Sequence, residues 1–217
     1  MTVLSRYCSM ATKYYNLKYL LDKQRLVLAS GSPRRVFLLQ EAGIEFRQII
    51  PDIHEDNNLH TEPYRLATIL AEKKAEAVLD KISGDEIALG CDTIVILDGK
   101  ILGKPVSPAD AVDMLTQMSG RMHVVCSAVA LMDKGRNLAS GFELTDVYFN
   151  AVTERQIIDY VETGEPLDKA GSYGIQDLGV FLVDRIVGNI DNVIGLPLVL
   201  LDGIAGKMAE IKGFYGI

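Results

Sequence analysis

The stretch Arg25-Leu26-Val27-Leu28-Ala29-Ser30-Gly31-Ser32-Pro33-Arg34-Arg35 decides how the chain is read. Its first half is a short apolar run bounded by a glycine, the pattern of a buried strand. Ser32 is a favoured helix N-cap and Pro33 a favoured first helical residue, so the strand turns into a helix over 33–42 that stops at Gly43. A helix N-terminus carries partial positive charge and unpaired N–H groups. Arg34 and Arg35 in that first turn have the wrong sign for helix stability. They make sense if an anion sits there, because the helix end, the hydroxyls of Ser30 and Ser32 and the two guanidinium groups then converge on phosphate. The plainer alternative is that both arginines point to solvent or pair with Glu41 or Glu45.

Strands and helices alternate beyond this point. Residues 44–50 read as a strand and 63–79 as a long helix. The nearly all-apolar segment 87–97 reads as a buried strand, and Asp98-Gly99 as a hairpin turn leading to a return strand at Ile101-Leu102. A helix is predicted over 108–118, then strands over 123–132 and 144–151. Thr153 with Gln156 three residues on has the spacing of a capping box for the next helix. The polar, glycine-rich segment 164–176 is long for a connector between ordered elements, which marks it as a functional loop. A strand over 180–187 and a C-terminal helix from Leu196, weakened by Gly203 and Gly206, complete the chain. The order is α/β with antiparallel hairpins, so a mixed sheet is expected.

The chain has 217 residues, enough to bury a sizeable core in one domain or two packed lobes. No apolar run is long enough to span a bilayer. A net charge of −7 disfavours general nucleic-acid binding but leaves room for a small anion in a locally basic cleft. Three cysteines without a C-x-x-C pair point to a reducing compartment, and three histidines show no zinc spacing. Residues 1–25 carry five basic residues and one acid. Tyr14, Leu17 and Leu21 at helical spacing suggest an extra helix lying on the domain; a transit peptide is the rival reading.

Asp92 is the single acid in the strand 87–97. An unpaired carboxylate there costs several kcal/mol or shifts its pKa, so a general base or a metal ligand is suspected, against a structural cap. Asp52, Glu55 and Asp56 follow a strand; with Asp92 they offer oxygen ligands for Mg²⁺, although alone they read as a solvated loop. Lys73 and Lys74 share a helix with Glu72 and Glu76, where surface ion pairing is the bland explanation. Lys104 sits in a loop, Asp168 and Lys169 suit a mutual pair, and His123 and Cys91 read as packing residues. P-loop, dinucleotide-fold and serine-hydrolase motifs are absent from the sequence.

Read in order, Leu28-Ala29-Ser30-Gly31-Ser32-Pro33-Arg34-Arg35, Gly90-Cys91-Asp92-Thr93, Gly103-Lys104-Pro105, Ser119-Gly120-Arg121, Asp168-Lys169-Ala170-Gly171-Ser172-Tyr173-Gly174-Ile175-Gln176 and Gly195-Leu196-Pro197 resemble the Maf family of nucleotide pyrophosphatases, also labelled septum formation inhibitor-like. The resemblance covers residues 25–202 and leaves 1–24 as an extension of a single domain over 25–217. It implies a mixed twisted sheet with flanking helices, in two lobes around a central cleft, related to the inosine triphosphatase fold. It also implies a cytoplasmic enzyme, often a homodimer, that hydrolyses nucleoside triphosphates at the α–β link with Mg²⁺ or another divalent cation. By motif, Ser30, Ser32, Arg34 and Arg35 would form the phosphate loop and Lys74 the helix lysine, with Lys73 the neighbouring register. Asp92 would be the base and, with Glu55, a metal ligand; Lys104 would be the cleft lysine and Gln176 the polar group facing substrate. Pro33-Arg34-Arg35, Gly174-Ile175-Gln176 and the absence of tryptophan place the sequence with the dTTP/UTP branch, while Asp177 stands where many members have glycine. The rival expectations are a non-catalytic nucleotide-binding regulator of division and a pyrophosphatase for purine or modified nucleotides.

Overall fold

The computed structural model describes residues 14–53, 62–176 and 178–215. Its axis is the strand that carries the lone acid, β3 (Glu86–Leu97), buried throughout except at half-covered Thr93. Both faces of such a strand are covered, which is why it reads as a continuous apolar run. The first half of β3 runs parallel to β1 (Arg25–Ala29), which in turn runs parallel to β2 (Phe46–Ile49). The second half folds back on β4 (Lys100–Leu102) through Asp98 and Gly99, both at positive φ, as a tight hairpin requires. Along its other edge β3 pairs antiparallel with β5 (Met122–Asp133), β5 with β6 (Leu138–Phe149), and β6 with β7 (Val183–Val187). The sheet is mixed, in the order β2-β1-β3-β5-β6-β7 with β4 beside β3.

This topology opens a crevice. Pairing of β1 with β3 ends at Ala29 opposite Gly90, and pairing of β4 begins at Leu102 opposite Val95. Between those points the described strands flank β3 only on the β5 side. Chains diverging past the carboxyl end of a strand are where α/β sheets take ligands, and Asp92 and Thr93 lie at that place.

Three cores hold the two lobes. On one face α1 (Tyr15–Leu21), α2 (Pro33–Glu41) and α7 (Leu198–Ile211) cover Leu26, Leu28, Ile87 and Leu89. On the opposite face α3 (Pro63–Glu76) lays Ala67, Ala71 and Ala75 against Val27, Ala88 and Ala128. In the far lobe α4 (Pro108–Met118) and α5 (Glu154–Glu162) pack on Val95, Leu97, Val125 and Val147. The capping box of α5 is formed by Thr153 and Gln156 as expected. The helix expected near the N-terminus is α1: Leu17 and Leu20 are fully buried, and Asp202 of α7 accepts from the Leu17 amide at 2.9 Å and from Asn16 at 3.0 Å.

Some boundaries differ from the expected ones. Strand β6 starts at Leu138 rather than 144, because its polar and glycine positions are covered by helices. Ser140 donates to Glu72 of α3 at 2.6 Å, and Gly141 leaves room for Ile204 of α7. The segment 178–182 is a 3-10 turn, so β7 begins at Val183, and a short helix α6 (Ile190–Ile194) precedes α7. Gly206 faces Asn16 of α1, and a Cβ there would lie 3.2 Å from its side chain.

The approach of α3 to β3 depends on Gly90. A Cβ at that position would stand 2.0 Å from the Ala71 carbonyl oxygen and 2.7 Å from the Ala75 nitrogen, both backbone atoms that cannot swing away. Gly90→Ala is therefore expected to push α3 off the sheet and destabilise the fold by about 3 kcal/mol, the upper range for overpacking. Urea denaturation checks this; an unchanged midpoint would mean the helix yields freely.

Candidate active site

The site starts where β1 becomes α2. Ser32 holds extended backbone at the N-cap position, but its hydroxyl makes no capping bond. The Ser30 hydroxyl instead accepts from the Ser32 amide at 3.2 Å and from Arg35 Nη1 at 3.0 Å. The two arginines part company. Arg35 is buried, and it also donates from Nε to the Gly195 carbonyl at 2.9 Å and from Nη2 to Thr93 Oγ1 at 3.1 Å. Arg34 is only partly covered and lies near enough to Asp168 to favour its ionised form.

Helical spacing separates the two lysines of α3. Lys73 is exposed, whereas Lys74 is buried and its Nζ donates to Asp92 Oδ1 at 2.6 Å. Less than a tenth of either side chain is accessible, so the ion pair is far less screened than a surface one. The tight packing at Gly90, two residues before Asp92, brings Lys74 within reach.

The glycine-rich segment closes the other side. It folds as two 3-10 turns, Glu165–Asp168 and Ala170–Ser172, rather than as an open loop. One tyrosine gathers it: the Tyr160 hydroxyl accepts from the Gly174 amide at 3.1 Å and donates to Glu165 Oε1 at 3.0 Å, while Glu165 Oε2 accepts from the Leu178 amide at 3.0 Å. The Gly171 amide donates to the Gly103 carbonyl at 3.0 Å, fixing the segment to the loop that carries Lys104. Lys169 pairs with Asp168 at 2.8 Å and also reaches the Glu165 carbonyl. Burial opposes ionisation of Asp168, but hydrogen bonding from Lys169 and the charges of Lys169 and Arg34 hold its carboxyl below the usual range.

These segments enclose a cavity of about 480 Å³, the size of a small-molecule site. Ser30, Ser32, Arg34 and Arg35 from the start of α2, the paired Lys74 and Asp92, Lys104 and Gln176 all line it. Glu55 and Asp177 lie outside the described residues. Among the described lining residues five cations (Arg34, Arg35, Lys74, Lys104, Lys169) stand against two carboxylates, Asp92 and Asp168. An acidic chain thus presents a locally positive cleft, which concentrates anions. No group of three metal-ligating side chains occurs among the described residues. Asp92 and Asp168 are the carboxylates among the described lining residues that could serve as metal ligands.

Sequence reading missed Thr93, Tyr160 and Lys169 as parts of the site. The buried thiols of Cys91 and Cys126 are pushed up to about 11 and about 12 by burial, which removes them as nucleophiles. His123 packs edge-on to Phe149 and Tyr173, and its Nε2 lies 2.8 Å from the hydroxyl of Tyr173, a cavity-lining residue. Its Nδ1 is buried with no partner among the described residues.

Burial lowers the His123 pKa to about 4. The unfolded chain therefore binds a proton at higher pH than the folded one does. The stability is fully present above the unfolded value near 6.5 and is lost as pH falls from there to about 4. The loss amounts to about 3 kcal/mol at most. His123→Gln, which keeps a partner for Tyr173 but does not titrate, is expected to remove that part of the acid sensitivity. Denaturation midpoints at pH 7 and pH 4.5 measure it, and equal pH dependence in both proteins would assign the effect elsewhere.

Comparison with known proteins gives one family match and several named relatives. A family model described as Maf-like protein matches residues 25–207. A protein of Shewanella denitrificans named dTTP/UTP pyrophosphatase is 44% identical over 191 residues, covering 85% of this chain and 96% of that one. One of the same name from Alkaliphilus metalliredigens is 40% identical over 194 residues, covering 87% and 98%. A solved structure of a nucleoside-triphosphatase, dITP/XTP pyrophosphatase, from Mycobacterium abscessus overlaps 59% of this chain and 74% of its own at 14% identity. Its TM-score of 0.38 is too low to add to the assignment. No helix among the described residues is long and apolar enough to cross a membrane.

Proposed function

The chain belongs to the Maf family, and from that premise we propose that it hydrolyses nucleoside triphosphates, dTTP and UTP foremost, to the monophosphate and pyrophosphate. The observation that carries this reading is the buried Lys74–Asp92 pair in a cleft also lined by the serine- and arginine-bearing start of α2. The relatives named dTTP/UTP pyrophosphatase, matched over almost their whole length, supply the substrate class.

The chemistry follows from the placement. The triphosphate lies in the cleft, with its charge met by Arg34, Lys104 and the helix end, and with Ser30 and Ser32 as donors. Arg35, largely buried in the cleft lining, holds Ser30 in place. Asp92, kept beside the Lys74 ammonium, accepts a proton from the attacking water. The water oxygen bonds to phosphorus at the α–β link, the bridging bond breaks, and its electron pair leaves with pyrophosphate. Lys74 and Lys104 offset the charge that builds on the phosphate oxygens, so electrostatics and positioning carry most of the acceleration. Asp92, with Glu55 as second carboxylate, would hold Mg²⁺, which when bound neutralises phosphate charge and makes phosphorus more electrophilic. The reading includes a cytoplasmic homodimer, which sedimentation and fractionation test separately.

Rates over a panel of NTPs and dNTPs, with and without Mg²⁺, test the proposal. Metal-dependent turnover highest for dTTP and UTP is expected. Preference for a purine nucleotide would move the substrate class. Binding without turnover would favour a non-catalytic nucleotide sensor.

A further inference from the structure

From the cleft lining a line of polar groups crosses the sheet. Arg35 Nη2 donates to Thr93 Oγ1 at 3.1 Å, and Thr93 Oγ1 lies 2.9 Å from Ser127 Oγ on the neighbouring strand. Ser127 Oγ donates to the Asn192 carbonyl of α6 at 2.8 Å. A hydroxyl has one hydrogen. Since that of Ser127 is spent on Asn192, Thr93 must be the donor to Ser127 and is left to accept from Arg35. Every proton in the line therefore points one way, from guanidinium to helix backbone.

The far end is held firmly. Asn192 is fully buried. Its Oδ1 accepts from the Ser127 amide at 3.1 Å, and its Nδ2 donates to the Val125 carbonyl at 3.1 Å and to Thr145 Oγ1 at 2.9 Å. The near end reaches the cleft. Arg35 Nη1 and the Ser32 amide fill both acceptor positions of the Ser30 hydroxyl, so its single hydrogen is committed to donation, at a residue that lines the cavity. Thr93 lines the cavity, whereas Ser127 and Asn192 do not.

We infer that Thr93, Ser127 and Asn192 form a one-directional relay that positions Arg35 and commits the Ser30 hydroxyl to donate to a bound polyphosphate. They are positioning residues, and the inference rests on the reading of the cleft as a triphosphate site. Fixing a donor before the ligand arrives avoids the cost of orienting it on binding. Its loss weakens ground-state and transition-state binding alike, raising KM with little change in kcat.

The test uses Ser127→Ala, Thr93→Val and the double variant, with Thr93→Ser as the conservative control. Three readouts are taken: kinetics on dTTP, affinity for inorganic triphosphate by calorimetry, and Tm. Ser127→Ala is expected to raise KM and the triphosphate Kd about tenfold, with kcat within about threefold of the parent. The double variant should lose no more than the worse single, as links of one chain do, and Thr93→Ser should keep parent values. If Ser127→Ala fails to fold, Ser127→Cys, which nearly keeps the side-chain size but weakens its hydrogen bonds, carries the same comparison. Unchanged KM and Kd, additive losses, or a fall in Tm with kcat lost at constant KM would overturn the relay. Should the parent turn over no nucleotide while Ser127→Ala still weakens triphosphate binding, the enzymatic reading falls and the relay stands.

Discussion

Asp92→Asn lowers kcat for dTTP by about 10³-fold, the scale of a positioned general base, while KM stays within a few-fold of the parent. The substitution is nearly isosteric. The amide oxygen can still accept from Lys74 Nζ, which donates to Asp92 Oδ1 at 2.6 Å, so this part of the cleft keeps its shape. What is removed is the negative charge and the basicity that take the proton from water. Because Arg34, Lys104 and the start of α2, all cavity-lining, meet the phosphates, binding survives. Parent turnover in this variant would reduce Asp92 to a structural partner of Lys74, and a large rise in KM would place it in ground-state binding.

Lys74→Met is the second large effect, and it appears in stability as well as rate. The methionine stem replaces the buried lysine stem, so packing is largely kept. The Asp92 carboxylate, with 8% of its side chain accessible, loses its lysine. Breaking a buried pair by removing one partner costs about 3–5 kcal/mol; a cleft open to water places the loss at about 3 kcal/mol. Turnover falls as well, since one of the cations facing the phosphates is gone. Adding Asp92→Asn to Lys74→Met should restore part of the lost stability without restoring activity, because a neutral amide tolerates the lysine's absence. Urea midpoints of the four proteins decide it, and additive destabilisation would show that the two side chains do not depend on each other.

The strand-to-helix passage at residues 25–43 and the buried strand around Asp92 were legible because their signals are local: an apolar run, a serine, a proline, a glycine. The eight described site residues converge on one cavity, yet sequence alone did not separate their manner of engagement. Periodicity puts Lys73 and Lys74 a residue apart but does not say which faces the sheet; the contact of Gly90 with the Ala71 carbonyl decides that. Arg34 and Arg35 looked equivalent in the first turn of α2. Only the convergence of Gly195, Ser30 and Thr93 turns Arg35 inward. Ser127 carried a signal related to that of Asp92, a polar residue inside a largely apolar strand. Its partner Asn192 lies 65 residues away, beyond any local pattern. The early start of β6 was hidden because Ser140 and Gly141 read as loop residues until the helices covering them are known.

The most direct test of the central claim is product identity. The purified protein is given dTTP and Mg²⁺, and the products of parent and Asp92→Asn are separated by ion-exchange chromatography. Hydrolysis at the α–β link by way of Asp92 predicts dTMP and pyrophosphate in equal amounts from the parent, and about a thousandth of that from the variant. dTDP with inorganic phosphate, or undiminished product from Asp92→Asn, would contradict it.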